Sequence, residues 1–389
     1  MRKDIRRVGR ICRATAPLFL VVVIFLSLIA RAIAHKPVTS KYDYDRDVFP
    51  ILRARCSQCH VRGGPAPMSL MTYKDAVSWA ESIRVELTTG RMPPWPVDAL
   101  SPAVKGGQSI SAKEIDTIVT WASGGTPSGT LSASLPETAF LPAWSLGPPD
   151  FEMSMEAAHT VATGTVNELC TFSLPTHFPM TKWVRAVDLK AGTPSLVRDA
   201  IISIENGPVL GVWEPGGDAT AVPSGAAFRL PSGSTIQLQI HYRKHFDQEQ
   251  EAVTDRSTIG LYFTDVPTAG RPIESLAIVA PPETDAGKSR TFSGTLTSRG
   301  LIIALRPLLN ASYQSLDVDE VTRSGRRVPL LALRGPRPQW FRDYWLKEPI
   351  EVESGSRIEV RATPLSADAD EPKVRARFPL QVVLDYVPQ

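Results

Sequence analysis

Ser234-Thr235-Ile236-Gln237-Leu238-Gln239-Ile240-His241-Tyr242 alternates apolar and polar side chains without a break. Successive side chains of a strand point to opposite faces, so Ile236, Leu238, Ile240 and Tyr242 share one side of it. Residues 257–263, 300–305 and 356–362 behave similarly, with Pro and Gly in the intervals. From about Ala143 the chain therefore reads as all-β for about 240 residues, too long for one small sandwich. Two stacked, jelly-roll-like β-sandwich subdomains are expected, over residues 131–265 and 266–389.

Upstream, the period changes. Tyr44 to Arg55 reads as one helix, and Tyr73 to Thr88, closed by Gly90, as another. Ser111-Ala112-Lys113-Glu114 is a capping box opening a helix with Ile115, Ile118, Val119 and Trp121 on one side, closed by Gly124-Gly125. The expected fold class is thus a multidomain α plus all-β chain, with a small helical domain over residues 35–130.

Cys56-Ser57-Gln58-Cys59-His60 lies in that helical domain and has the C-x-x-C-H spacing of c-type haem attachment. Two thiols reach the two vinyl groups of one porphyrin, and the adjacent imidazole comes up under the iron. A redox C-x-x-C would want a thioredoxin-like strand–helix context, and a zinc site a second cysteine pair. The sequence supplies neither. One covalent haem c is therefore expected, held by Cys56 and Cys59 with His60 as proximal ligand. Met68, Met71 and Met92 follow the motif. Met92, in Arg91-Met92-Pro93-Pro94-Trp95, is the expected distal ligand, since prolines stiffen its loop and 32 residues separate it from His60. Met68 and Met71 lie near the motif and are expected to be loop or packing residues. Met/His ligation suits electron transfer. The loop Gly63-Gly64-Pro65-Ala66-Pro67 is expected to offer carbonyls to the His60 ring.

The first residues explain where this attachment takes place. A basic stretch precedes the apolar run from Ala16 to Ala30, followed by Arg31 and the small-x-small triplet Ala32-Ile33-Ala34. Residues 1–34 read as a signal peptide or, alternatively, an N-terminal membrane anchor. Either way the bulk of the chain is expected in the periplasm or otherwise outside the cytoplasm. Cleavage would remove Cys12 and leave Cys56, Cys59 and Cys170, which is no disulfide framework.

The net charge of +3 belongs to this leader. Arg2, Lys3, Arg6, Arg7, Arg10, Arg13 and Arg31, against Asp4 alone, fall in the first 31 residues. The remainder holds 36 basic and 39 acidic side chains, a net of −3. It offers no basic face or aromatic–basic repeat for nucleic acid.

Several phrases resemble bacterial proteins that join a cytochrome c to a copper type II, ascorbate-dependent monooxygenase module, akin to peptidylglycine hydroxylating and dopamine β-monooxygenases. They are Arg91-Met92-Pro93-Pro94-Trp95, Trp144-Ser145-Leu146-Gly147-Pro148-Pro149-Asp150, Val212-Trp213-Glu214-Pro215-Gly216, Leu230-Pro231-Ser232-Gly233-Ser234 and Leu238-Gln239-Ile240-His241-Tyr242, with Asp255-Arg256-Ser257 and Gly260-Leu261-Tyr262 beyond. The resemblance implies two copper centres, one in each sandwich. The first would use a His-His pair plus the His of the His-Tyr phrase, the second a His-x-His pair plus a late Met. Here the first pair falls on Leu196-Val197-Arg198-Asp199-Ala200, the second on Pro307-Leu308-Leu309-Asn310, and the Met within Val382-Val383-Leu384. Of six implied ligands only His241 remains, a vestigial copper ligand. Copper is therefore not expected.

The expected protein is an electron-transfer cytochrome whose degenerate, copper-free β module is a scaffold or docking unit. A redox protein partner or a membrane redox complex is implied. The alternative is an active, haem-fed copper monooxygenase, and a third reading is a pure binding module. Cys170 is expected to be a buried thiol, and Arg306, Arg323, Arg326, Arg327, Arg334 and Arg337 a solvated surface. Trp340 and Trp345 are expected in the core or at a subdomain interface.

Overall fold

The computed structural model describes residues 39–94, 97–106, 110–130, 143–219, 221–265, 272–282, 288–365 and 377–389. The leader 1–34, His35 and Trp95 lie outside the described residues. The chain is mostly β, with a small helical N-terminal part.

The helical part begins with a π-helical turn, Tyr44–Val48, capped by Asp43, which accepts from the Arg46 N–H at 2.8 Å. It runs into α1 (Phe49–Arg55), then α2 (Tyr73–Ser78), α3 (Ala80–Thr88) and α4 (Ala112–Ser123). The single helix expected over 73–88 is two, because Trp79 leaves helical geometry at φ −109°, ψ 7°. Local propensity carries no mark of this break; tertiary packing decides it. The capping box of α4 is as read, with Glu114 N–H donating to Ser111 Oγ (3.2 Å) and Ser111 N–H to Glu114 Oε2 (2.7 Å). Tyr44, Phe49, Leu52, Met71, Ile118 and Trp121 form the helical core, which confirms Met71 as a packing residue.

All the strands pair antiparallel. One sheet runs β1 (Phe151–Ser154), β10 (Thr258–Phe263), β4 (Lys182–Lys190), β7 (Phe228–Leu230). A second runs β3 (Asn167–Pro175), β8 (Thr235–Arg243), β5 (Val197–Ile204), β6 (Val209–Trp213), with a ribbon of β2 (His159–Val161) and β9 (Val253–Asp255) beside it. A third runs β11 (Glu274–Val279), β18 (Gln381–Pro388), β13 (Gly300–Leu308), β16 (Tyr344–Val352). The fourth runs β12 (Arg290–Thr295), β17 (Arg357–Pro364), β14 (Tyr313–Val321), β15 (Arg327–Arg334). One large apolar cluster draws on the first two sheets, with Ile303, Ala304 and Trp345 of the third, and another on the last two.

The alternating stretch is β8. Ile236, Leu238, Ile240 and Tyr242 are fully buried, each stabilising by roughly 1.5–3 kcal/mol. A one-residue slip would turn all four to the other face, so burial sets the register.

Two findings depart from expectation. The segment Val97–Lys105 leaves the helical part and lies against the far sheets. Val97 bridges to Leu333 of β15 and Val104 to Leu346 of β16, and both pack with the second large core. Asp98 adds a 3.0 Å ion pair to Arg334. Arg306, expected at a solvated surface, is buried on β13 between Asp343 (2.5 Å) and Asp385 (3.1 Å). Burial works against its charge, but the two carboxylates more than restore it and raise its pKa.

Candidate functional site

Cys56 follows the last residue of α1, its N–H donating to Leu52 O at 2.8 Å. The next turn closes by Cys59 N–H to Cys56 O (3.1 Å) and His60 N–H to Cys56 O (2.8 Å). This turn brings Cys56, Cys59 and His60 to one wall of a cavity of about 1310 Å³. That exceeds the ~300–1,000 Å³ of a pocket for a drug-sized ligand. Neither thiol is in a disulfide. Burial pushes Cys56 up to about 12 and Cys59 up to about 11, so both stand as neutral thiols.

His60 is oriented from behind. Its Nδ1 lies 3.3 Å from Met68 O; a carbonyl only accepts, so the proton sits on Nδ1 and Nε2 keeps its lone pair. Burial, against the Met68 hydrogen bond, lowers the ring's pKa and favours the neutral imidazole. The acceptor is thus one residue beyond the loop expected to supply it. That loop folds back tightly: a Cβ on Gly64 would sit 2.6 Å from Cys59 O.

Met92 lines the same cavity, as do Met68, Leu52, Ile83 and Leu87. Its loop is held by Arg91, whose Nη2 donates to Glu86 Oε1 at 2.8 Å, and its N–H reaches Glu86 O at 3.2 Å. Met68 is tied through its carbonyl to the His60 ring. Two thiols, an imidazole with a free Nε2 and a thioether on the lining of one cavity are the donor types that a covalent haem requires.

The opposite wall comes from the β sheets. Arg198 on β5 stacks over Trp340 at 4.1 Å, and its Nε is sealed from solvent with no hydrogen-bond partner among the described residues. Burial lowers its pKa to about 10, which leaves it charged at neutral pH. Glu214, after β6, pairs with Arg342 at 3.0 Å, while burial pushes its carboxyl up to about 7. His245 Nε2 lies 2.9 Å from Pro65 O and joins the two walls. Trp345, on β16, is buried in the first large core. Sequence reasoning missed Arg198 and Glu214 as wall residues. The only available signal was the acid held between Trp213 and Pro215.

Gly216 seals the junction against the motif. Its φ is +67°, and a Cβ there would lie 2.3 Å from Gln58 Cγ and 2.6 Å from Gln58 O. Gly216→Ala is expected to destabilise the protein by about 1–3 kcal/mol from overpacking, with left-handed strain of ~1–2 kcal/mol added. A fall in the denaturant midpoint at unchanged slope measures this.

His241 is committed elsewhere. Its Nδ1 donates to Asp199 Oδ2 (2.8 Å) and its Nε2 lies 2.6 Å from Asn167 Oδ1. Arg377 donates to Asp199 Oδ1 at 2.6 Å. Burial raises the Asp199 carboxyl's pKa, but the His241 hydrogen bond and the His241 and Arg377 charges win and hold it below its usual range. The segments matching the second copper site do meet, with Pro307 opposite Val382 and Leu308 opposite Gln381. They carry buried apolar side chains and the Arg306 ion triad in place of imidazoles. His177 is exposed.

No family model matches the chain, and no curated protein matches it. Among solved structures, the major capsid protein P2 of bacteriophage PM2 is 9% identical, over 61% of this chain and 97% of that one, at a TM-score of 0.28. An allantoicase is 9% identical over 56% and 77% of the two chains, at 0.19. At such values neither bears on fold or function.

Proposed function

We propose that the protein is an exported monohaem c-type cytochrome that passes single electrons. On this reading residues 35–130 carry the haem. The two pairs of sheets are stacked, jelly-roll-like sandwiches over residues 131–265 and 266–389, serving as a scaffold or docking unit for a redox partner or membrane complex. The observation that carries the reading is the meeting of two unpaired thiols, an imidazole with its Nδ1 occupied, and the Met92 thioether on one cavity.

When bound, haem supplies a one-electron couple. Cys56 and Cys59 would hold it through thioether bonds, and His60 Nε2 and the Met92 sulfur would be the donors available to its iron. Leu52, Ile83 and Leu87 line the cavity with apolar side chains. Arg198, charged at neutral pH, is part of the β wall of the cavity.

Export rests on the pattern of residues 16–34; among the described residues no helix is long and apolar enough to cross a membrane. Copper chemistry gains no support from His241, whose two nitrogens both face oxygen atoms. The test is expression in a host that attaches c-type haem. One iron per chain, a haem that survives denaturation, and no ascorbate-driven O₂ uptake are expected. Copper-dependent O₂ uptake that is lost in His241→Ala would instead establish the monooxygenase.

A further inference from the structure

We infer that His159, Glu168 and Cys170 form a metal-ion site for a borderline-soft divalent cation of the zinc class, separate from the haem cavity. Glu168 and Cys170 are two apart on β3, so both project from one face of the strand. β2 brings His159 alongside, and its ring is clamped. It stacks on Tyr242 at 5.2 Å and 16°, and meets Phe172 edge-on at 5.6 Å. His159 Nε2 then lies 3.3 Å from Cys170 Sγ and 3.4 Å from Glu168 Oε2, and all three donor atoms fall within 4.8 Å of one another.

The two distances from His159 Nε2 are what a tetrahedral ion asks for. With Zn–N of about 2.0–2.1 Å, Zn–S of about 2.3 Å and Zn–O of about 2.0–2.2 Å, neighbouring donors sit roughly 3.3–3.6 Å apart. A mixed thiolate, imidazole and carboxylate set favours zinc over magnesium or calcium, which prefer all-oxygen shells. Tyr242 is not a fourth donor, because its hydroxyl donates to Asp255 Oδ2 at 3.0 Å. Three protein ligands leave one position for water. The His159 and Glu168 side chains keep 25% and 34% of their exposure, so that position opens to solvent. This is the form of an open site, not of a closed structural one.

Without an ion, burial and the nearby Glu168 push the thiol up to about 11. Binding therefore exchanges one proton: the S–H bond breaks, the thiolate binds the cation, and H⁺ leaves to solvent. The three residues lie outside the haem cavity lining, so the site stands whether or not haem is bound.

The test uses the full chain with its haem in place, stripped by chelator and titrated with Zn²⁺ by equilibrium dialysis. One zinc per chain is expected, with affinity falling roughly tenfold or more in Cys170→Ser and in His159→Gln. Zinc-edge X-ray absorption on the unaltered protein is independent of how the variants fold. It should find one sulfur neighbour among lighter ones. Failure to take up zinc, bound zinc with no sulfur neighbour, or unchanged affinity in well-folded Cys170→Ser would each overturn the assignment.

Discussion

The chain with both Cys56 and Cys59 replaced by alanine is expected to carry no haem through denaturing electrophoresis, where the unaltered protein stains for haem at its full mass. Among the described residues, these thiols are the only side chains on the cavity that can form thioethers, and neither is engaged in a disulfide. Each lies within one turn of His60, so under the proposed function a single piece of backbone would set both attachment and ligation. Either single variant should keep one bond and a haem that still resists extraction. The double variant should still fold in its β part, whose two cores share no residue with the motif. A haem stain that persists in the double variant would defeat the proposed attachment.

Met92→Ala should remove the long-wavelength iron–sulfur absorption of the oxidised protein and lower its midpoint potential. The shift should be on the order of 0.1 V, a fraction of the ~0.8 V that axial ligation spans. Thioether ligation favours the reduced iron, and replacing it by water or an adventitious base forfeits that preference. Met68→Ala is the control. Residue 68 supports the proximal ring through its backbone carbonyl, which alanine retains, so absorption and potential should hold. If the two variants behave the other way round, Met68 is the ligand and Met92 a wall residue.

Local pattern accounts for what was legible beforehand. The four buried side chains of β8 and the capping box of α4 are written within a few consecutive residues, and both formed as read. So is the spacing that places Cys56, Cys59 and His60 on one turn. The break at Trp79, the burial of Arg306 and the path of Val97–Lys105 depend on partners far along the chain, and composition carries no trace of them. Arg198 and Glu214 were quoted as parts of phrases, yet their position over the motif follows only from how β5 and β6 pack across the junction. Cys170 was read as a plain buried thiol. It is half-buried beside His159, because the pairing of β2 with β9 sets that imidazole next to β3.

The weaving of Val97–Lys105 into the edge of β15 and β16 bears on how an electron would travel under the proposed function. The chain passes from the helices to the sheets before this segment, returns after it for α4, and leaves again towards β1. Among the described residues, the bridges of Val97 to Leu333 and of Val104 to Leu346 tie this segment to the sheets, against the helical part swinging as a tethered arm. On the proposed function, a carrier built this way would exchange charge through a fixed gap, with its partner docked against the assembled body. Rate should then fall with the distance of closest approach at the docked face, and should not respond to lengthening or stiffening of any one linker.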